Sequence, residues 1–554
     1  MALMRDTIII SDQEEMRTAH LDMAHVGDIK GAWGTIRLGD SAPRRTWSAW
    51  LITLLIIMGP GLITMIGDND AGGIATYIQA GQNYSTSLLW ALLILIPVLI
   101  VNQEMVVRLG AVSGVGHARL IFERFGKFWG AFSVIDLFLL NFMTIITEFI
   151  GFSMGLQYFG VSPLISVPLA VIGLTAITVT GSFRRWESVM WICCAISLMM
   201  IPLIILPHPV LGTVLFNTFV PTIRGGINST ALLTIIAIVG TTVAPWQLFF
   251  QQSNIIDKRI TPRWLNTERI DTIVGSFITN IEAAGLIIVA AVFFAGTKFD
   301  GSFVDVITSA RGFAALGHPM IGAILAIILI NASVVGACAV TLSTSYAFGD
   351  VFKIRHSLHR KVNEAKFFYG SYSMIILLGG AIVLIPNAPL GLITLAVQAL
   401  AGILLPSATV FLVLLCNDRA VLGPWVNALW LNIVAAVIVG LLVVLSLILA
   451  ATTLFTFTDA QTNLLTASLF VLLTVTLAVM GIVTLVQRLR KGPDTELMAL
   501  LAMDKHTWRM PPLEKLTKPV WSLTRKVGML MLRAYLVIAV ILLIVKVIQL
   551  ATGH

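Results

Sequence analysis

The sequence predicts an all-α polytopic membrane protein with a core of two inverted five-helix repeats, followed by about three further transmembrane helices. Composition is the first reason: of the 554 residues 57% are hydrophobic and 12% are charged, and the mean hydropathy is +0.92, which is far too apolar for a soluble domain. Second, thirteen apolar runs of about 20 residues are each long enough to cross roughly 30 Å of hydrocarbon. Third, two of these runs are interrupted at matching places in the two halves.

The thirteen runs divide the chain into five parts. We expect an N-terminal tail (1–46), a ten-helix core (47–423), two additional transmembrane helices (424–488), a linker (489–527) and a last transmembrane helix (528–554). The inverted repeats are predicted at about 47–207 and 228–415. The runs begin near residues 48, 86, 129, 163, 187, 229, 272, 319, 367, 389, 426, 464 and 529.

The basic residues predict the orientation of the chain. With the N-terminus placed inside, 31 of the 36 Lys and Arg residues fall on cytoplasmic segments and three fall on outer loops. Such an asymmetry is the positive-inside pattern. We therefore expect a multi-pass protein of the plasma or inner membrane with a cytoplasmic N-terminus and no signal peptide. The net charge of +8 is explained in this way, and nucleic acid is not an expected partner.

Catalytic and cofactor signatures are not found in the sequence. The four cysteines lie in apolar stretches, where they act as small hydrophobic side chains and are poorly placed for disulfides or a metal cluster. No nucleophile-base motif or zinc-protease signature is found. We expect a monomer that is not an enzyme and holds no prosthetic group, with the lipid bilayer and a transported ion as its partners.

The first apolar run contains a polar interruption, Gly67-Asp68-Asn69-Asp70-Ala71-Gly72-Gly73. Charges and unpaired backbone are costly at membrane depth, and glycine permits non-helical backbone. These residues predict an unwound turn whose carbonyl oxygens lie beside the Asp70 carboxylate, which outlines a cation site. The alternative is the outer end of a helix followed by a polar loop, although apolar residues continue beyond it.

The sixth run repeats this feature around Pro245. Proline removes an amide donor and disrupts the preceding turn, so residues from Thr241 to Ala244 are expected to present free carbonyls. A proline kink alone is common in transmembrane helices. Interrupted helices in corresponding positions of two halves, however, indicate an inverted-repeat transporter with a binding site near the middle of the membrane.

At these positions the chain resembles the natural resistance-associated macrophage protein (NRAMP) family of divalent metal transporters, from about residue 55 to 423. The family's Gly-Pro-Gly run and its Asp-Pro-Gly-Asn motif match Gly59-Pro60-Gly61 and Asp70-Ala71-Gly72-Gly73. Further matches are Arg108 to Gly114, Glu148-Phe149-Ile150-Gly151 and Asn417-Asp418-Arg419. The resemblance implies a leucine-transporter-like fold and transport by alternating access, in which the broken helices rock against the rest of the core.

The resemblance also implies a ligand set, from which this sequence departs twice. The family's metal-binding methionine falls on Ala244, and its motif asparagine falls on Gly73. The family's metal-facing glutamine aligns with Gln398, so Asp70, the Thr241 carbonyl and Gln398 form an all-oxygen set. Oxygen ligands suit magnesium, calcium and manganese, whereas a thioether favours softer metals. A larger site suits a partly hydrated magnesium ion. The departures are similar to those of the NRAMP-related magnesium transporters, which also accept manganese.

A third departure concerns protons. The family's proton route uses an aspartate and two histidines, whose positions are occupied here by Ile145, Trp246 and Gln251. We therefore expect uptake that is not coupled to protons and is driven by the membrane potential, which contributes about 2.3 kcal/mol per unit charge per 100 mV.

Several other intramembrane polar residues are candidates for the surroundings of the ion or its pathway. For Glu148 a structural role and a functional role are given equal weight. Glu282 is expected to act in helix packing or gating. Asp68 and Asn69 are expected to surround the hydrated ion or to satisfy unwound backbone. Trp246, Gln247 and Gln251 follow the second interruption and are expected to line the aqueous pathway.

Three other functions compete with a magnesium transporter. The first is a proton-coupled manganese or iron importer of the classical NRAMP type, against which the missing methionine and histidines argue. The second is a sodium-coupled amino-acid carrier of the same architecture, whose substrate carboxylate Asp68 and Asp70 would repel. The third is a membrane-embedded enzyme.

Overall fold

The regular structure of this chain is almost entirely helical. The computed structural model describes residues 19–517 except 456, 492–494 and 506–507, together with Val537. The α-helices, in chain order, are α1 (Trp47–Ile57), α2 (Pro60–Asp68), α3 (Ala71–Tyr84), α4 (Leu89–Ser113), α5 (His117–Phe125), α6 (Lys127–Tyr158), α7 (Pro163–Thr178), α8 (Phe183–Ser197), α9 (Met200–Ile205), α10 (Leu211–Phe219), α11 (Ser229–Thr242), α12 (Pro245–Asp257), α13 (Leu265–Phe294), α14 (Val306–Ala315), α15 (Pro319–Phe352), α16 (Lys366–Val383), α17 (Leu390–Cys416), α18 (Arg419–Leu422), α19 (Leu429–Leu454), α20 (Asp459–Lys491) and α21 (Thr495–Leu501).

A small antiparallel hairpin precedes the first transmembrane helix and was not predicted. Strand β1 (Ile29–Gly31) pairs with β2 (Gly34–Ile36), with Ile29 opposite Ile36. Both isoleucines are buried against α1, where Ile56 and Ile57 complete a small apolar cluster. The hairpin is short because only this one face has apolar residues to bury. Five short 3-10 helices lie at Met23–His25, Ser85–Leu88, Pro262–Trp264, Gly423–Trp425 and Leu513–Lys515.

The predicted fold class is confirmed. Within the described residues, ten helical segments are long and apolar enough to cross a membrane, and the pair α1 and α2, bent by 54°, passes the same test together. The shorter apolar helix α7 accounts for the predicted fourth run. The predicted thirteenth run, 528–554, lies outside the described residues apart from Val537. The division into domains and the orientation in the membrane remain predictions.

The first transmembrane segment is interrupted twice. Between α1 and α2 the chain turns at Gly59, whose φ of 146° is open to glycine but strained for other residues. The Lys258 ammonium donates to the carbonyls of Ile57 and Met58 at the end of α1, at 2.8 and 2.7 Å. The Asp271 carboxylate accepts from the Gly59 and Gly61 amides at the start of α2, at 3.0 and 2.7 Å. The cation thus stabilises a helix C-terminus and the anion a helix N-terminus.

The second interruption separates α2 from α3 at Asn69 and Asp70, where the polar sequence predicted it. The sixth transmembrane segment is likewise interrupted at Val243 and Ala244, between α11 and α12. Both predicted breaks are therefore present. Each divides its segment near the middle, so helix ends with unpaired backbone groups meet inside the protein.

The broken helices lie in the interior of the bundle. Helix α13 packs on α2, α3 and α4, α11 packs on α17, and α6 and α15 pack along each other. Every residue of α2 and of α12 is buried. Because both sides of these helices are covered by protein, their polar residues face other helices rather than lipid.

An N-terminal segment, residues 19–36, docks on the end of the bundle that we predict to be cytoplasmic. Asp22 accepts two hydrogen bonds from the Arg360 guanidinium and one from the His356 amide. His25 Nε2 lies 3.1 Å from the His356 carbonyl and 3.7 Å from the Asp257 carboxylate. The segment is therefore held by the loop between α15 and α16 and by the end of α12.

Acidification is expected to release this segment. Burial lowers the pKa of His20 to about 4 and also lowers the pKa of His25 and His359. Each of these histidines favours docking fully above the ordinary pKa of about 6.5, and this contribution is lost as the pH falls through the lowered pKa of that histidine. His356 opposes them: burial acts to lower its pKa, but the hydrogen bond and charge of Asp350, with the Ile354 carbonyl and the charge of Asp22, together outweigh burial and raise its pKa. Because the pKa is lowered for three of these histidines and raised for one, docking is expected to weaken as the pH falls from about 7 to 5.

Hydrogen exchange of residues 19–36, followed between pH 7.5 and 5, measures this effect after correction for intrinsic exchange rates. Protection is expected to fall with pH in the unmodified protein and to fall less in a His20→Gln, His25→Gln variant. His208→Gln, which changes an exposed histidine elsewhere, serves as the control. Protection that is independent of pH in all three proteins would contradict the prediction.

Candidate metal site

Three consecutive residues at the first interruption are each held by a different helix. Asp68 Oδ1 accepts from Gln247 on α12. The Asn69 amide donates to Glu282 on α13, at 2.7 Å, and to a backbone carbonyl of the same helix. Asp70 lies beside Glu148 on α6. The unwound turn is therefore fixed by side chains from three sides, which gives its polar groups defined positions.

Asp70 caps the helix that follows it. Its Oδ1 accepts from the Gly73 amide at 2.7 Å, as an N-cap residue does. Glu148 Oε2 accepts from the Ala71 amide at 3.3 Å and lies within hydrogen-bonding reach of the Asp70 carboxyl. Two carboxyl groups this close require a proton or a cation between them. The local arrangement therefore favours a bound positive charge.

Three oxygen atoms converge closely on Gly73. A Cβ atom at this position would lie 3.0 Å from the Asp68 carbonyl oxygen, 3.0 Å from Thr241 Oγ1 and 3.5 Å from Asp70 Oδ1. The structure thus brings together predicted residues from both interrupted helices. The Thr241 carbonyl lacks its usual helical donor, because the residue four positions later is Pro245, which has no amide hydrogen.

Gln398 reaches this region from α17. A Cβ atom at Gly72 would overlap its side-chain amide, so the amide lies directly over the first turn of α3. The amide nitrogen is buried without a hydrogen-bond partner. A side-chain amide presents its oxygen in place of its nitrogen after a half-turn, and the two are assigned only from their surroundings. Gln398 is therefore placed to supply an oxygen ligand beside Asp70.

Several buried polar atoms around the interruption have no hydrogen-bond partner within the described part of the chain. They are Asp68 Oδ2, Asn69 Oδ1, Glu148 Oε1 and Thr241 Oγ1, besides the Gln398 nitrogen. Buried polar atoms are almost always paired with protein, water or ions. Among the described residues, no Lys or Arg forms an ion pair with Asp68, Asp70 or Glu148. The arrangement is that of a site for a cation.

The described residues contain no group of three His, Cys, Asp or Glu side chains arranged to hold a metal ion. The groups that this region offers to a cation are fewer acidic side chains together with amide, hydroxyl and carbonyl oxygens. Oxygen-rich, partly hydrated coordination is the kind that hard divalent ions adopt.

Comparison with known proteins identifies the family. Residues 61–452 match the model of the natural resistance-associated macrophage protein-like (Nramp) family, which is most of the chain. The chain belongs to the Nramp family. It is 27% identical over 421 residues to the divalent metal cation transporter MntH of Lacticaseibacillus casei (strain BL23), covering 73% of this chain and 90% of that protein. MntH of Bacillus subtilis (strain 168) is 27% identical over 418 residues, covering 72% and 93%.

A solved Nramp-like structure shows the same fold. The crystal structure of the Eremococcus coleocola manganese transporter, in complex with an aromatic bis-isothiourea substituted compound, aligns with a TM-score of 0.63. The alignment covers 86% of this chain and 99% of that chain at 18% identity. The predicted leucine-transporter-like fold with two broken helices is therefore that of an Nramp protein.

The remaining predicted residues of this Nramp chain lie at different distances from the interruption. Ala244 is buried at the start of α12. The Trp246 ring lies against the backbone of α2, 3.5 Å from a Cβ atom placed at Gly67. Gln251 donates to Thr272 at 3.0 Å, so it faces α13, one helical turn beyond Gln247. Gln251 is therefore turned away from the interruption, and its predicted place on the pathway stays a prediction.

Some residues of the site were missed by the sequence analysis. Gly336 on α15 allows close packing, since a Cβ atom there would lie 2.8 Å from Glu148 Oε2 and 3.1 Å from Asp70 Cβ. Gln103 on α4 donates to Gln247 at 3.1 Å, and the Tyr77 and Thr242 hydroxyls lie 2.8 Å apart. An amide within an apolar run was an available signal for Gln103. For Gly336, in a helix rich in small residues, no local signal existed.

Gly72→Ala is expected to displace the Gln398 amide and to weaken metal binding about tenfold, the loss of one ligand or strong hydrogen bond. The overlap is with a movable side chain rather than with backbone, so the fold is expected to persist. Titration calorimetry of the purified protein with Mg²⁺ and Mn²⁺ measures the effect.

Gly173→Ala is the matched control, since a Cβ atom at Gly173 meets nothing within 4 Å. Its affinity is expected to be unchanged. Equal affinities in Gly72→Ala and the unmodified protein would show that Gln398 is not a ligand.

Proposed function

We propose that this chain imports Mg²⁺, and also Mn²⁺, by alternating access and without proton coupling. In this proposal the monomer lies in the plasma or inner membrane with its N-terminus in the cytoplasm. The observation that carries the proposal is the set of ligand groups around Gly72 and Gly73: Asp68, Asp70 and Thr241 at Gly73 and Gln398 at Gly72 offer oxygen, and none of them carries sulfur. The related proteins are named as divalent metal cation and manganese transporters, which supports a divalent cargo.

Magnesium is supported by the chemistry of the site. Mg²⁺ dehydrates reluctantly and is usually held by one or two carboxylates while several waters remain. Asp70 supplies one carboxylate beside the hydroxyl of Thr241 and the carbonyl of Asp68, and all three oxygen atoms face Gly73. Alanine at position 244 offers no soft ligand, so softer transition metals gain no advantage there. Mn²⁺ also accepts oxygen ligands, which is why we include it.

The absence of coupling is supported by the residues at the positions of the family's proton route. Ile145 is fully buried against α16, and neither Trp246 nor Gln251 titrates. Import then depends on the ion gradient and on the membrane potential, which contributes about 4.6 kcal/mol for a doubly charged ion at 100 mV.

A second candidate is a proton-coupled Mn²⁺ or Fe²⁺ importer. One contact favours it: the Glu148 carboxyl lies beside Asp70, where a carboxyl is able to bind a proton when the metal leaves. In our proposal Glu148 instead orients the start of α3 through the Ala71 amide, and its protonation does not change during the cycle.

Uptake by purified protein in liposomes tests the proposed function. An inside-negative potassium diffusion potential is expected to drive Mg²⁺ entry, and external Mn²⁺ is expected to compete with it. Protein-free liposomes are the control. If neither ion enters faster than in that control, the chain is not the transporter we propose.

A further inference from the structure

A partly open cavity lies at the end of the bundle that we predict to be cytoplasmic, and none of its lining residues belongs to the metal site. Its volume is about 160 Å³. Its walls are the N-terminal segment, the last residues of α4, the turn that follows α12, and Arg509 and Met510 of the chain after α21. Four stretches that are distant in sequence therefore meet around one cavity.

The cavity is lined by basic side chains. His20, His25, Arg259 and Arg509 all face it, and none of its described lining residues is Asp or Glu. Its remaining walls are small, apolar or hydroxyl-bearing residues and backbone. A partly buried cleft with positive charge and no acidic lining residue attracts anions, because its low-dielectric walls strengthen the attraction.

Arg259 is held in place by two backbone carbonyls, and the Asp28 and Asp257 carboxylates lie near it without forming an ion pair. Its Nε donates to the Ala24 carbonyl at 2.9 Å and its Nη1 to the Asp28 carbonyl at 3.1 Å. Both acceptors are neutral, and among the described residues Arg259 forms no ion pair with a carboxylate. Its backbone φ of 67° lies in the left-handed region, which costs energy for a non-glycine residue. The guanidinium is thus fixed at the cavity wall.

His20 supplies a second unsatisfied group. Its Nδ1 atom is buried and has no hydrogen-bond partner. Burial, together with the nearby charges of His25 and Arg509, lowers the pKa of this histidine to about 4. A bound anion would offset the repulsion among these groups and accept a hydrogen bond from the imidazole. The cavity therefore contains donors and charge that match an anion.

We propose that this cavity binds a phosphate group, with Arg259, Arg509 and His20 as its ligands. Arginine is suited to this role because its planar guanidinium donates two parallel hydrogen bonds to phosphate oxygens. The volume is below the roughly 300–1,000 Å³ of sites for drug-sized molecules, so the cavity holds one phosphate group rather than a whole nucleotide. The group belongs to a soluble phosphate compound of the cytoplasm, or to the headgroup of a phospholipid.

A bound phosphate would link the N-terminal segment to α12. His20 belongs to the segment and Arg259 follows the end of α12, whose opposite end begins beside the metal site. The segment is also fastened through Asp22 and Arg360 to the loop before α16. Phosphate bound here is expected to stabilise the docked segment and to slow transport. Only this effect on transport rests on the proposed function; the binding does not.

Phosphate binding to the purified full-length protein tests the proposal. In lipid-free detergent, inorganic phosphate is expected to raise the melting temperature in a saturable way, and equal ionic strength from chloride is not. Arg259→Gln and His20→Asn are each expected to weaken phosphate binding at least about tenfold. Arg185→Gln, which changes an exposed arginine, is expected to bind like the unmodified protein.

Arg259→Gln and His20→Asn are measured together, and Arg509→Gln is a third variant. The cavity is then still tested if one of these variants folds poorly. Saturable stabilisation that is equal in the unmodified protein and in all folded cavity variants would overturn the assignment. An absence of stabilisation by inorganic phosphate would also overturn the assignment, unless the phosphate group that binds is that of a phospholipid headgroup. Stabilisation by nanodiscs of phosphatidylglycerol over neutral lipid, lost in Arg259→Gln, would assign the cavity to a headgroup; the absence of both effects would reject the site.

Transport separates this proposal from the proposed function. Phosphate enclosed in liposomes is expected to slow Mg²⁺ uptake by the unmodified protein and not by Arg259→Gln. Phosphate binding without any metal transport would leave the cavity assignment standing and reject the proposed function. Transport without phosphate binding would reject the cavity assignment and leave the proposed function standing.

Discussion

Asp70→Asn is expected to abolish metal uptake while the fold stays intact. The asparagine oxygen still accepts the hydrogen bond from the Gly73 amide, so α3 keeps its cap. What is lost is one negative charge in a buried site with no basic partner among the described residues. Removing one partner of a buried charge pair costs about 2–5 kcal/mol, so metal affinity is expected to fall at least about thirtyfold. Titration calorimetry and liposome uptake measure both effects.

Asp305→Asn is a matched control for this change. Asp305 caps α14 by accepting from the Thr308 amide at 2.7 Å, the same distance as in the Asp70 cap. The control separates the loss of an aspartate cap from the loss of the charge at the site. Wild-type affinity in Asp70→Asn, or an equal loss in both variants, would show that Asp70 is not a ligand.

Ala244→Met is expected to change the selectivity of transport toward softer ions. A thioether at the start of α12 adds a soft ligand, which favours Mn²⁺ and especially Cd²⁺ over Mg²⁺. We expect the ratio of Cd²⁺ to Mg²⁺ uptake to rise about tenfold or more, the value of roughly one added ligand interaction. Competition of each metal with Mg²⁺ entry into liposomes measures the ratio.

Ala244→Leu separates the sulfur from the added volume. Leucine is similar in size to methionine and apolar, but it has no ligand atom. If bulk alone matters, both variants lose uptake of all ions and the selectivity is unchanged. If Ala244 faces the ion, the methionine variant gains Cd²⁺ uptake and the leucine variant does not. Unchanged selectivity in the methionine variant contradicts a metal-facing position.

The helices and both interruptions were predictable because their causes are local. Each feature acts on the structure of its own stretch of sequence. These features are the runs of apolar residues, Pro245, and the cluster of Asp68, Asn69 and Asp70. Gln398 was predicted as a ligand only through the resemblance to the family. It shares no local pattern with Asp70 and lies on a helix that is distant in sequence. Its position over Gly72 agrees with that prediction.

The groups that fix the interruptions were not predictable in the same way. Lys258 and Asp271 stabilise the bend between α1 and α2 from about 200 residues away, and Gly336 permits α15 to approach Asp70. These contacts depend on which helices become neighbours. The hairpin of the N-terminal segment was missed because three-residue strands carry too few residues for an alternating pattern.

The most direct test of a magnesium importer without proton coupling is a simultaneous recording of internal Mg²⁺ and internal pH in liposomes. With an inside-negative potential and no pH gradient, we expect Mg²⁺ to enter while the internal pH stays constant. An imposed pH gradient at fixed potential is expected to leave the rate unchanged. Acidification that accompanies Mg²⁺ or Mn²⁺ entry and disappears in Asp70→Asn would contradict this account and establish proton-coupled import.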